Sequence, residues 1–202
     1  MKKSILLGII TLATCSTSSF GVGAIFMDNY NTYGPDVVYG PGGLGTPGTG
    51  LGVGWTAGLY FAPGDVRSYI ISDPTGSADP STLGGGLTLG IGGGSTAGFD
   101  SVIVATPGEF IASEEFVIND NPGDTITVMI VAYDGSTYGS SLERGHSAAF
   151  IMTTSAFTNP NPNKVGAFMP AFSVNVLIPE PATLALGSLG LVALIAVGRK
   201  QT

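Results

Sequence analysis

The stretch Asp124-Thr-Ile-Thr-Val-Met-Ile-Val-Ala-Tyr-Asp-Gly135 constrains this chain more than any other. Side chains alternate sides along an extended backbone. Ile126, Val128, Ile130 and Ala132 therefore point one way, and Thr127, Met129, Val131 and Tyr133 the other. Asn121-Pro-Gly-Asp124 provides a turn before the run, and Asp134-Gly135 provides one after it. A strand of this kind needs neighbours, and the sequence offers them. Ala171-Phe-Ser-Val-Asn-Val-Leu-Ile178 repeats the alternation, with Phe172, Val174, Val176 and Ile178 on one face. Shorter candidates are Ala24–Tyr30, Gly58–Phe61, Val66–Ile71, Ser101–Ala105, Glu115–Ile118 and Ala148–Thr153.

Between residues 25 and 178 no apolar pattern follows the 3.6-residue period of an amphipathic helix. Glycine is abundant, at 32 residues, and much of it falls in 40–58 and 84–98. Glycine does not recur at every third position, which excludes a collagen-like helix. The expectation is a mainly β body, a single antiparallel β-sandwich of jelly-roll-like or Ig-like type, with roughly eight strands joined by Gly/Pro turns. No internal repeat is visible.

The two ends differ from this body. Lys2-Lys3 precede an apolar stretch, Ile5 to Ala13, too short to span a bilayer. Val22-Gly23-Ala24 then places small residues for a cut after Ala24, so residues 1–24 read as a secretory signal peptide. Cys15 is the only cysteine, and a chain cut there retains no thiol. At the other end, Ala182 to Gly198 is uncharged and apolar. Its 17 residues would make a helix of roughly 26 Å, a single transmembrane helix near the lower limit for a bilayer. Arg199 and Lys200 follow as a basic stop that favours the cytoplasmic side. Pro179-Glu180-Pro181 precedes the helix as a stiff extended tripeptide, because each proline fixes its own φ and biases its predecessor away from the α region.

Pro179-Glu180-Pro181, a short apolar helix and a basic end at the extreme C-terminus resemble the PEP-CTERM sorting signal. The resemblance covers residues 179–202, and the basic end is shorter than in many members. It implies a membrane-anchored precursor recognised by exosortase, a membrane-embedded cysteine-type processing enzyme. It further implies residence at the cell surface or in an extracellular, polysaccharide-rich matrix of the biofilm type. Thr56-Ala-Gly-Leu-Tyr-Phe61, residues 125–141, Gly145-His-Ser-Ala-Ala-Phe150 and Ser173-Val-Asn-Val176 also resemble the bodies of PEP-CTERM proteins of Verrucomicrobia-like bacteria.

Residues 25–178 carry three cations against thirteen carboxylates, a net charge of −10. Nucleic acid is a poor partner for such a surface, since phosphates are repelled. The chemistry-bearing residues are sparse. His146, the sole histidine, lies near Glu143 and Ser147, but no Gly-x-Ser-x-Gly accompanies it. A glycosidase would need two carboxylates across a cleft. Glu109, Glu114 and Glu115 are near in sequence, yet Glu114 and Glu115 are expected on opposite sides of a strand. Gly52-Val-Gly-Trp-Thr-Ala57 matches a loose dinucleotide fingerprint without the required flanking strand and helix. The chain is thus expected not to be an enzyme and to need no cofactor. Calcium remains a candidate ion, with Asp120 and Asp124 as ligands in an acidic turn. Tyr30, Tyr33, Tyr39 and Trp55 are candidate contacts for an extracellular polysaccharide, because aromatic faces stack on sugar rings. The expected role is structural or adhesive, with a polysaccharide-binding module second and a glycoside hydrolase third.

Overall fold

The structure, a computed structural model, describes residues 21–31, 33–99, 106–119, 122–157 and 159–177. The expected leader (1–20), the strand expected at Ser101–Ala105, Asp120, the Pro179-Glu180-Pro181 motif, the expected membrane helix and Arg199-Lys200 lie outside these residues. No helix of the described residues is long and apolar enough to cross a membrane.

The described residues are mainly β, with single turns of 3₁₀-helix and no α-helix. The strands are β1 (Gly23–Ile25), β2 (Val38–Tyr39), β3 (Thr56–Pro63), β4 (Thr88–Leu89), β5 (Thr96–Gly98), β6 (Phe116–Ile118), β7 (Thr125–Tyr133), β8 (Glu143–His146), β9 (Phe150–Thr153), β10 (Ser155–Ala156) and β11 (Ser173–Val176). They form a three-stranded sheet in the order β10-β1-β6 and an eight-stranded one, in which β2-β11-β8-β7-β3-β4 is the main path. In the larger sheet β5 pairs β3 and β9 pairs β7. Neither sheet closes on itself.

The centre is the β3–β7 ladder, antiparallel from Thr56↔Tyr133 to Pro63↔Ile126. Both faces of β7 are covered. Ile126, Val128, Ile130 and Ala132 join the main core with Ile25, Phe116 and Ile118 from the smaller sheet. Met129 and Val131 join a second core with Tyr60, Leu83, Leu87 and Tyr138. Burial of these side chains stabilises each by roughly 1.5–3 kcal/mol relative to exposure.

Val66–Ile71 departs from the strand expected there. Arg67–Tyr69 is a 3₁₀ turn. Asp65 accepts from the backbone N–H of Arg67 at 3.2 Å, and Thr127 Oγ1 accepts from that of Val66 at 2.9 Å, which bends the chain. Val66 and Ile70 then pack on the second core while Tyr69 and Ile71 stay exposed. A second departure is the β2–β11 pair, which is parallel rather than antiparallel. Two segments far apart in the chain meet there, and no short turn dictates their direction.

The candidate strand at Ala24–Tyr30 is shorter than expected and begins earlier. Gly23 and Ala24 are buried and pair with Ala156 and Ser155 on one side and Ile118 and Val117 on the other. A leader boundary after Ala24 would remove two of the three residues of a central strand. A chain starting at Ile25 is therefore expected to be less stable than one starting at Gly21, by about 1–2 kcal/mol for the lost ladder bonds. Paired thermal melts check this, and equal melting curves would contradict it.

Candidate functional site

The tyrosine-rich segment forms a pinned loop. Asp28 Oδ1 accepts from the Tyr30 amide at 2.7 Å, an Asx turn. Glu109 Oε1 accepts from the Asn31 amide at 2.9 Å. Asn31 has φ +58°, a left-handed conformation that asparagine tolerates better than most residues. Beneath it, Asn29 is fully buried and ties three backbones: its amide donates to Pro35 O and Gly108 O, and its Oδ1 accepts from Phe110 N–H at 2.6 Å. Gly108 (φ +93°) must be glycine here, because a Cβ would meet Asp36 Cβ at 2.7 Å.

Lys164 closes the loop. Its Nζ lies 2.6 Å from Asp28 Oδ2 and 3.7 Å from the centre of the Tyr33 ring, an ion pair and a cation–π contact at once. Tyr33 remains 42% exposed. The four aromatic candidates do not form one stacking surface. Trp55 is only 7% exposed, its Nε1 donates to the Tyr39 hydroxyl at 3.0 Å, and the two rings meet edge to face at 5.6 Å. Trp55 thus belongs to the main core, and Tyr39, partly buried, packs against it. Tyr30, half-buried, and Tyr33 remain at the surface of the loop.

A second polar centre was not legible in the sequence. Asp73 gathers the loop that follows it: Oδ1 accepts from Thr75 N–H and Oγ1–H at 2.9 and 2.6 Å, and Oδ2 from Ser77 and Ala78 N–H at 2.8 and 2.7 Å. His146 Nε2 lies 3.1 Å from the same Oδ2, and its Nδ1 lies 2.8 Å from Ser147 O. Both ring nitrogens thus meet acceptors, which leaves neither for a serine hydroxyl or a substrate. The Ser147 hydroxyl accepts from Ile130 N–H at 3.0 Å. Glu143 points elsewhere, its Oε1 accepting from Leu44 N–H at 2.6 Å, and burial pushes its carboxyl upward. Arg144 donates to Ser77, Tyr138 and Gly139 carbonyls and lies over the Tyr138 ring. Burial, then the Asp79 charge, pushes the Tyr60 phenol up to about 12.

Glu114 and Glu115 depart from expectation. The strand begins only at Phe116, and both residues line one cavity of about 370 Å³. They are chain neighbours on one wall. The rest of that cavity is Ile91, Gly93, Phe116, Val117 and Phe157, with no carboxylate across from them among the described residues. Glu109 is on the tyrosine loop instead. Asp124 begins the turn into β7, where its carbonyl accepts from Thr154 N–H at 3.0 Å. Among the described residues no group of three or more His, Cys, Asp or Glu is placed to hold a metal. The Gly52–Ala57 fingerprint runs directly into strand β3, so no helix N-terminus stands ready for a pyrophosphate.

No protein-family model, curated protein or solved structure matches this chain.

The Asp73 centre predicts a pH dependence. Burial raises its carboxyl, but the hydrogen bonds from Thr75, Ala78 and His146 outweigh it and hold the group well below the usual carboxylate range. A folded value below the unfolded one contributes stability that is complete above about pH 4 and is lost as the pH falls through the folded value. Asp73→Asn is therefore expected to cost about 1–3 kcal/mol near neutrality. The gap from the parent protein should narrow on acidification, as denaturant melts at a series of pH values would read.

Proposed function

We propose that this is an exported cell-surface or extracellular-matrix protein. It is sorted through its C-terminal PEP-CTERM signal by exosortase and carries a non-catalytic β-sandwich body with a structural or adhesive role. The two sheets enclose one shared core, which supports the sandwich reading. The observation that carries the non-catalytic reading is His146: both of its nitrogens already face acceptors within the chain. A general base needs one nitrogen within reach of the proton it removes. Glu114 and Glu115, adjacent on one wall, do not offer the two-sided geometry of a glycosidase either. The charge of −10 on residues 25–178 supports a surface role away from nucleic acid.

Polysaccharide binding is the second reading, favoured by the exposed Tyr33 on its pinned loop beside Lys164. Calcium belongs to this reading as a candidate ion only through Asp120 and Asp124.

Two measurements test these statements. Glu180→Ala, which removes the carboxylate between the prolines, is expected to leave the protein in the membrane fraction with Arg199-Lys200 still attached. Mass spectrometry of its C-terminus reads this, and an unchanged distribution would count against exosortase sorting. Co-sedimentation of the protein with the producing cells' extracellular polysaccharide, with and without calcium, separates the roles. Saturable binding lost in Tyr33→Ala would establish the second reading over the first.

A further inference from the structure

The chain leaves the larger sheet at a defined end. Paired residues cross that sheet in the row Thr56, Tyr133, Arg144 and Asn175. At or just beyond this row β3 and β8 begin, and β7 and β11 finish. Leu177 is still held there. Its N–H donates to Leu142 O at 2.8 Å, and the Val176 N–H donates to Gly42 O at 3.0 Å. The apolar segment expected to cross the membrane starts five residues later, at Ala182, a span of at most about 18 Å when fully extended. The headgroup layer takes up roughly 5–8 Å of that reach. A body tethered so shortly has to hold this end close to the lipid.

The same end differs in charge from the rest of the body. Residues 25–178 carry −10 overall, yet the two loops here, 40–54 and 135–142, hold no charged residue. The first is pinned beside the exit, where the Gly42 N–H donates to Asn175 Oδ1 at 3.0 Å and the Leu44 N–H to Glu143 Oε1 at 2.6 Å. Three large aliphatic side chains stand open on these loops: Val53 is 81% exposed, Leu44 74% and Leu142 56%. The flanking carboxylates are Glu143, which is buried, and Asp134, whose Oδ1 accepts from the Glu143 N–H at 3.4 Å. Asp73, on the loop that shares a cavity with Leu177, is spent on hydrogen bonds within its own loop. A single exposed leucine is ordinary. Aliphatic side chains on an uncharged rim beside a membrane tether suit a lipid interface, because inserting them removes apolar surface from water and brings no charge with it.

We propose that this end of the larger sheet rests on the phospholipid surface, with Leu44, Val53 and Leu142 entering the boundary between headgroups and acyl chains. The inference rests on the reading of 182–198 as a membrane helix and deepens it by assigning the face that the body turns to the bilayer. The tether keeps these side chains at high effective concentration, so a contact too weak to recruit a free body is enough. The test uses the full chain, purified from the membrane of the producing cells after export and reconstituted into phosphatidylcholine vesicles. In a Cys15→Ser background, Leu44→Cys, Val53→Cys and Leu142→Cys each carry an environment-sensitive dye. Ser68→Cys carries it beyond the far end of β3, where Ser68 is also exposed. All four sites are at the surface, so the labelled chains should keep their fold, as melting curves verify. Dyes at 44, 53 and 142 are expected to shift to the blue and to lose fluorescence when the vesicles contain lipid spin-labelled near the headgroup, and the dye at 68 to do neither. Chain that floats with the vesicles while 44, 53 and 142 stay unquenched overturns the inference and leaves the membrane anchor standing. Equal quenching at 68 overturns it in the same way, since the body would then have no preferred face. Chain that does not float with the vesicles removes the anchor reading, and the inference with it.

Discussion

The fold depends on a single strand that has no face toward water. Along β7 every residue from Ile126 to Ala132 is buried, so two separate cores must be built, one on each side. One side is met by the smaller sheet. The other is covered by loop and 3₁₀ segments between residues 66 and 87, which bring Leu83, Leu87, Val66 and Ile70 onto Met129 and Val131. An antiparallel sheet commonly leaves one face solvated. Here irregular chain covers that face, and its backbone polar groups must find partners inside the protein.

That requirement explains where the polar side chains go. Asp73 satisfies amides of the covering loop, Arg144 satisfies carbonyls from the same region, and Glu143 and Asn29 do likewise for other loops. Lys164 ties residues 136 positions apart by pairing with Asp28. Without a disulfide to restrain the described loops, side-chain bonds to backbone hold them. Asp73, Arg144, Glu143, His146 and Lys164 consequently serve as ties between segments of the described chain. Glu109 and Glu115 are exceptions, each with one buried carboxylate oxygen left without a donor.

Legibility followed local pattern. The faces of β7 were readable because a period of two survives in nine consecutive residues. β3, β6, β9 and β11 were readable for the same reason. β8, Glu143-Arg-Gly-His146, shows no such pattern, since its side chains are selected by loops on either side. Asp73 and His146 are 73 residues apart, and no spacing rule joins them. Trp55 and Tyr39 were candidate sugar contacts by residue type alone, and only the fold shows Trp55 buried in the main core with Tyr39 packed against it.

By itself the sequence determined that the body is β-rich, that its central strand has two defined faces, and that its surface is acidic. These are properties of adjacent residues, and alternation, turn chemistry and charge count need no knowledge of distant contacts. Only the tertiary structure decided which strands pair, that Val66–Ile71 turns instead of extending, and that His146 is held by Asp73. Each of these depends on where remote segments arrive. The competing local options differ by about the strength of a single hydrogen bond, so distant packing decides between them.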